Sequence, residues 1–116
     1  MTQVERRKHP RIHVDLPLRL TVQDRTVETH IRDLSTSGIR FRSPSALPLM
    51  SRVQIALELP ETQEGRAASA LAITGVVVRS DESESKGKLA YDTAIYFEDI
   101  SEPALRQLSQ FIAGQV

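Results

Sequence analysis

Asp33-Leu34-Ser35-Thr36-Ser37-Gly38 is a polar corner between two runs of alternating apolar residues, Val27-Glu28-Thr29-His30-Ile31 before it and Ile39-Arg40-Phe41-Arg42 after it. Asp and Ser side chains bond readily to backbone two or three residues on, and Gly accepts a backbone angle that other residues resist. The six residues therefore read as a tight, pre-shaped connection between two strands. The same period of two recurs outward from the corner. Leu16, Leu18, Leu20 and Val22 share one face, with Arg19, Thr21 and Gln23 opposite. Val53, Ile55, Leu57 and Leu59 alternate up to Pro60, and Leu89, Tyr91, Thr93, Ile95 and Phe97 form a last such run. A period of two with one polar side is the pattern of a half-buried strand.

The run 70–78 is apolar on both faces, which predicts a strand covered on both sides, with Gly75 marking a bend or a close backbone approach. The connections read as a turn at Asp24-Arg25, a proline-bearing loop over 43–48, a polar turn over 61–66 and an exposed, flexible polar loop over 80–88. Ser101-Glu102-Pro103 opens a helix: Ser caps it, an acid stands in the first turn, and Pro lies where its missing N–H costs nothing. Leu105, Leu108, Phe111 and Ile112 form its apolar stripe, and Gly114 ends it. Six strands at short spacing and one amphipathic helix predict an all-β fold: a six-stranded antiparallel, split-barrel-like β-barrel carrying a C-terminal α-helix.

Ahead of the barrel, which the alternation assigns to 14–116, residues 1–13 carry Arg6, Arg7, Lys8, His9, Arg11 and His13 against a single Glu5. Only Val4 and Ile12 are large and apolar there, so the segment reads as a flexible basic arm, and Pro10 argues against a helix through it. At 116 residues the chain has the size of one domain able to bury its own core. No run approaches the ~20 apolar residues of a membrane helix, and the charged N-terminus does not read as a secretory signal. Cysteine is absent, which excludes disulfides, thiolate zinc sites and thiol nucleophiles and fits a reducing cytosol.

The net charge is zero but unevenly spread. Residues 1–42 hold nine Lys/Arg against five Asp/Glu, and residues 43–116 hold six against ten. Such a dipolar chain suits a local anionic ligand near its first third rather than general coating of nucleic acid. With two Tyr, three Phe and no Trp, a stacking platform for single strands is poorly supplied. Catalysis is equally hard to build. Ser35 and Ser37 lack the leading Gly of a nucleophile elbow. His9 and His13 have helical metal-ligand spacing, yet Pro10 lies between them and no carboxylate motif accompanies them. Tyr91, Phe97 and Phe111 read as core, and Asp81, Glu82 and Glu84 as a solvated loop.

An RRxxxR arm (Arg6, Arg7, Arg11) followed some twenty residues later by DxSxxG (Asp33, Ser35, Gly38) between two strands is a compound signal. With the closing Ala94-Ile95-Tyr96-Phe97 and the helix after it, essentially the whole chain resembles a PilZ domain, the bacterial receptor module for cyclic di-GMP. The resemblance implies a six-stranded barrel on which the arm folds over bound nucleotide. Arg7 and Arg11 would clamp guanine edges and phosphates, Arg6 would extend the clamp, and Asp33, Ser35 and the backbone at Gly38 would hold the base from the barrel side. Arg6 ahead of the Arg7–Arg11 pair favours a stacked pair of ligand molecules. Arg79 is a further candidate for stacking on a base. The family often has Gly where this chain has Ala94, so a small residue is kept.

Residue chemistry supports these roles independently. Guanine O6 and N7 form an acceptor pair that an arginine fork meets bidentately, and its N1–H and N2–H₂ donors suit a carboxylate such as Asp33. The expected protein is a non-enzymatic cytoplasmic sensor, without cofactor or metal, signalling in trans to an effector protein. Two rivals follow from the same residues: a ligand-independent PilZ-like adaptor, and a small-barrel RNA-binding module using the basic arm.

Overall fold

The structure, a computed structural model, describes residues 10–61 and 69–115. Six antiparallel strands, β1 (Ile12–Val22), β2 (Arg25–Leu34), β3 (Gly38–Ser43), β4 (Arg52–Leu59), β5 (Ser69–Ser85) and β6 (Lys88–Asp99), precede one helix, α1 (Glu102–Gln115). They close into a barrel in the order β1-β2-β3-β6-β5-β4, with β4 pairing back onto β1. Closure gives every strand a neighbour on both sides along part of its length.

The alternating residues turn inward as their period predicts. Leu18, Leu20 and Val22 of β1, Ile31 and Leu34 of β2, Val53 and Leu57 of β4 and Ile95 of β6 are buried in one apolar cluster. Ala104, Leu108, Phe111 and Ile112 of α1 join that cluster. The helix begins where its signals predict: the Ser101 hydroxyl accepts from the Ala104 N–H at 3.2 Å, and the Ser101 carbonyl accepts from the Leu105 N–H at 2.9 Å. Leu105, expected in the buried stripe, is 37 % exposed, and Ala104 occupies the inward position instead. Among the described residues no helix is long and apolar enough to cross a membrane.

Several local expectations are corrected. Residues 80–85 are not a loop but the outer half of β5, paired with β6 from Ser80↔Thr93 to Ser85↔Lys88. Lys86 and Gly87 make the two-residue turn, both with positive φ (54° and 77°), as a primed hairpin turn requires. The acidic residues of this hairpin sit on exposed positions, so their polarity reports solvent contact rather than irregular backbone. The first hairpin turns one residue earlier than expected, at Gln23-Asp24, with Val22 paired to Arg25. β5 is covered on one side only: Ala70, Ala72 and Val78 are exposed, and their apolar character mimicked a two-sided strand. Strand pairing starts at Ile12, ahead of the boundary drawn at residue 14, because Ile12 is buried opposite Leu34. Of the polar turn, 62–66 lies outside the described residues.

Gly75 is a close approach. A Cβ there would stand 2.5 Å from Ile95 Cγ2 and 2.9 Å from the Tyr96 carbonyl, and the β5–β6 register shifts beside it.

Candidate functional site

The corner is shorter than the sequence suggested. β2 runs to Leu34 and β3 starts at Gly38, so only Ser35, Thr36 and Ser37 connect them. The Ser35 N–H donates to the Gly38 carbonyl at 3.0 Å, and the Ser35 hydroxyl accepts from the Ser37 N–H at 3.1 Å while lying 3.0 Å from the Ser37 hydroxyl. The Ser37 carbonyl accepts from the Phe97 N–H at 2.8 Å, which ties the corner to β6. Ser35 is thus buried and engaged in shaping the turn. Gly38 is needed for space and not for an unusual backbone angle: an added Cβ would overlap the Ile95 carbonyl oxygen on β6.

Asp33 faces outward because β2 carries an extra residue. Ile31 pairs with Phe41 and Asp33 with Arg40, so Arg32 has no partner on β3. A bulge re-aims the residues that follow it. Here it keeps Leu34 in the core and swings Asp33 to the barrel's outer face, between His13 of β1 and Arg40 of β3. β5 carries the same device: Val77 pairs with Ile95 and Arg79 with Ala94, leaving Val78 extruded. Both bulges deliver side chains to one cavity of about 360 Å³. Arg11, Asp33, Ser35, Gly38, Arg40 and Tyr96 are among its lining residues, with Val78 and Arg79 on the opposite strand.

The electrostatics of this cavity are unbalanced at one atom. The Asp33 side chain is only 14 % exposed; Arg40 Nη1 stands 3.8 Å from its Oδ2, and His13 Nδ1 lies 2.5 Å from its Oδ1. Oδ1 is ion-paired with His13, yet among the described residues it is the buried side-chain polar atom left without a hydrogen-bond partner. A buried acceptor in that condition costs about 1–3 kcal/mol. Two larger surface grooves, of about 770 and 720 Å³, lack such an atom. Arg52 pairs with Glu98 at 2.9 Å in the first, and His30 with Asp15 at 2.6 Å in the second.

The cavity's basic rim is built from Arg11 ahead of β1, the β2–β3 corner and a bulged β5, and the PilZ domain family model matches residues 5–114. The chain belongs to the PilZ domain family. Solved structures agree on the fold. The inhibitor of motility MotI (DgrA) of Bacillus subtilis superposes with a TM-score of 0.79 at 17 % identity, over 99 % of this chain and 54 % of that one. The PilZ domain of Escherichia coli YcgR, solved with c-di-GMP, gives 0.67 at 19 % identity, over 95 % of this chain and 91 % of that one. The MrkH–c-di-GMP complex of K. pneumonia gives 0.70 at 16 % identity, over 97 % and 53 %. The chain thus spans about half the length of MotI and MrkH. Among curated proteins no relative matches the sequence.

Of the site residues expected from sequence, Arg11, Asp33, Ser35, Gly38 and Arg79 line one cavity of this PilZ domain. Arg6 and Arg7 lie outside the described residues. Arg79 is engaged elsewhere: its Nε donates to Asp81 Oδ2 at 2.6 Å. That hydrogen bond first, and the charge of Asp81 second, raise its pKa and hold its proton more firmly than usual. Sequence reasoning assigned no role to Arg40, Ser37, Val78 or Tyr96. Arg40 and Tyr96 were legible as outward positions of their alternating strands. Val78 was not, since nothing in the sequence announces the bulge.

Proposed function

We propose that this PilZ domain is a non-enzymatic cytoplasmic receptor for cyclic di-GMP, whose basic arm closes over the bound nucleotide and changes the surface offered to an effector protein. The observation that carries the reading is the buried Asp33 Oδ1, ion-paired with His13 but without a hydrogen-bond partner among the described residues, inside a cavity rimmed by Arg11 and Arg40. It is an acceptor awaiting donors, and the Watson–Crick edge of guanine offers N1–H and N2–H₂ side by side. The surrounding guanidinium groups suit phosphates and the O6/N7 edge. Solved neighbours of the same fold carrying c-di-GMP support the choice of ligand.

At about 360 Å³ the cavity lies at the small end of the ~300–1,000 Å³ range of ligand sites. It has room for a base and part of its nucleotide, and a cyclic dinucleotide needs a second cover. Arg6 and Arg7 on the arm are the side chains at hand for it, and ordering a segment over a ligand is a common switching device. Arg6 ahead of Arg7 suits a stacked pair of ligand molecules. The effector is reached in trans, or through further domains where the module stands in a longer protein.

Titration calorimetry of the folded chain with cyclic di-GMP tests the reading. Binding at or below tens of micromolar, unaffected by linear RNA, is expected; no heat at that concentration would remove it. Arg7→Ala and Arg11→Ala are each expected to weaken binding about tenfold or more, the worth of one charge-assisted contact. The apo melting midpoint should stay put for Arg11→Ala, because Arg11 is exposed. A lower midpoint in that variant would make Arg11 structural.

A further inference from the structure

Tyr96 is a large aromatic residue on the outer face of β6, 57 % exposed, where it adds little to the core. Its cross-strand neighbour on β3 is Gly38, which has no side chain, and two residues away on its own strand stands Ala94. The ring therefore borders a low floor. On the β5 side the bulge extrudes Val78, 51 % exposed, into the same cavity. An aromatic face, a flat floor and an aliphatic flank beside a carboxylate with spare hydrogen-bonding capacity at Oδ1 are the parts needed to hold a planar heterocycle by face and edge together.

We propose that Tyr96, flanked by Val78, is the stacking surface for one guanine of the ligand, and that it rather than Arg79 sets the preference for a purine ring. The inference rests on the cyclic di-GMP reading above. Arg79 is drawn toward Asp81, to which its Nε donates at 2.6 Å. Asp33 reads the edge of the base and Tyr96 takes its face. Neither alone separates guanine from other hydrogen-bond donors or other flat rings.

The test uses the full chain and cyclic di-GMP. Stacking of one base on an aromatic ring is worth roughly tenfold in affinity or more, so Tyr96→Ala should weaken binding by about that factor and Tyr96→Phe should bind close to wild type. Both should melt as wild type does, the residue being exposed. The chain has two Tyr and no Trp. In a Tyr91→Phe background Tyr96 is thus the sole source of tyrosine fluorescence, and saturating ligand should quench it. Wild-type affinity in Tyr96→Ala, unquenched emission, or equal weakening by Phe and Ala would each overturn the stacking role while the wild type still binds. Failure of the wild type to bind would instead overturn the receptor reading itself.

Discussion

Asp33→Ala is expected to weaken cyclic di-GMP binding more than a hundredfold while raising the melting midpoint of the ligand-free protein. The two effects have one cause. In the free protein Oδ1 is buried without a hydrogen-bond partner among the described residues, a condition that costs about 1–3 kcal/mol. Against this stand the Arg40 pairing at 3.8 Å, with Arg40 about two-fifths exposed, and the contact with the exposed His13 at 2.5 Å, which together are worth about 1 kcal/mol. The balance favours alanine by ~1 kcal/mol, or about 4 °C in a domain of this size. With ligand bound the sign reverses, since hydrogen bonds to a charged acceptor contribute about 1.5–3 kcal/mol each and guanine supplies two donors. Scanning calorimetry of the apo protein and titration with cyclic di-GMP check both halves. A midpoint ten degrees lower would make Asp33 a structural residue.

Gly38→Ala should do the opposite and damage the fold first. The added Cβ would run into the Ile95 carbonyl, a backbone atom in the β3–β6 ladder that cannot move aside as a side chain can. Overpacking of this kind costs about 1–3 kcal/mol when something soft can yield, and the upper part of that range applies here. A midpoint about 8–12 °C lower is expected. A melting curve close to wild type would mean that β3 and β6 part easily at this point. The contrast separates the two motif residues. Asp33 is held at a cost to stability, and Gly38 is required by packing whether or not a ligand is present.

The barrel was legible because its strands obey a period of two with little interruption, and Leu18-Leu20-Val22 or Val53-Ile55-Leu57 can bury themselves in one way only. The helix start was legible from Ser101 and Pro103 for local chemical reasons. What the alternation concealed were the places where the chain breaks it. The bulges at Arg32 and Val78 cannot be seen in the residues themselves, yet they aim Asp33 outward and extrude the flank beside Tyr96. The hairpin over 80–88 was missed because solvent-facing Asp, Glu and Ser look alike in a loop and on an exposed strand, and only Lys86-Gly87 signalled the turn. Ala104 displaced Leu105 from the core because it stands four, seven and eight residues before Leu108, Phe111 and Ile112, nearer the centre of their stripe, a place that its small side chain concealed.

The distance from Asp33 Oδ1 to the nearest guanine nitrogen, in a crystal structure of the chain grown with cyclic di-GMP, tests the account most directly. A guanine N1 or N2 within 2.7–3.2 Å of that oxygen is the predicted result. A nucleotide seated in another groove, or an Oδ1 still without a donor in the liganded protein, would contradict it.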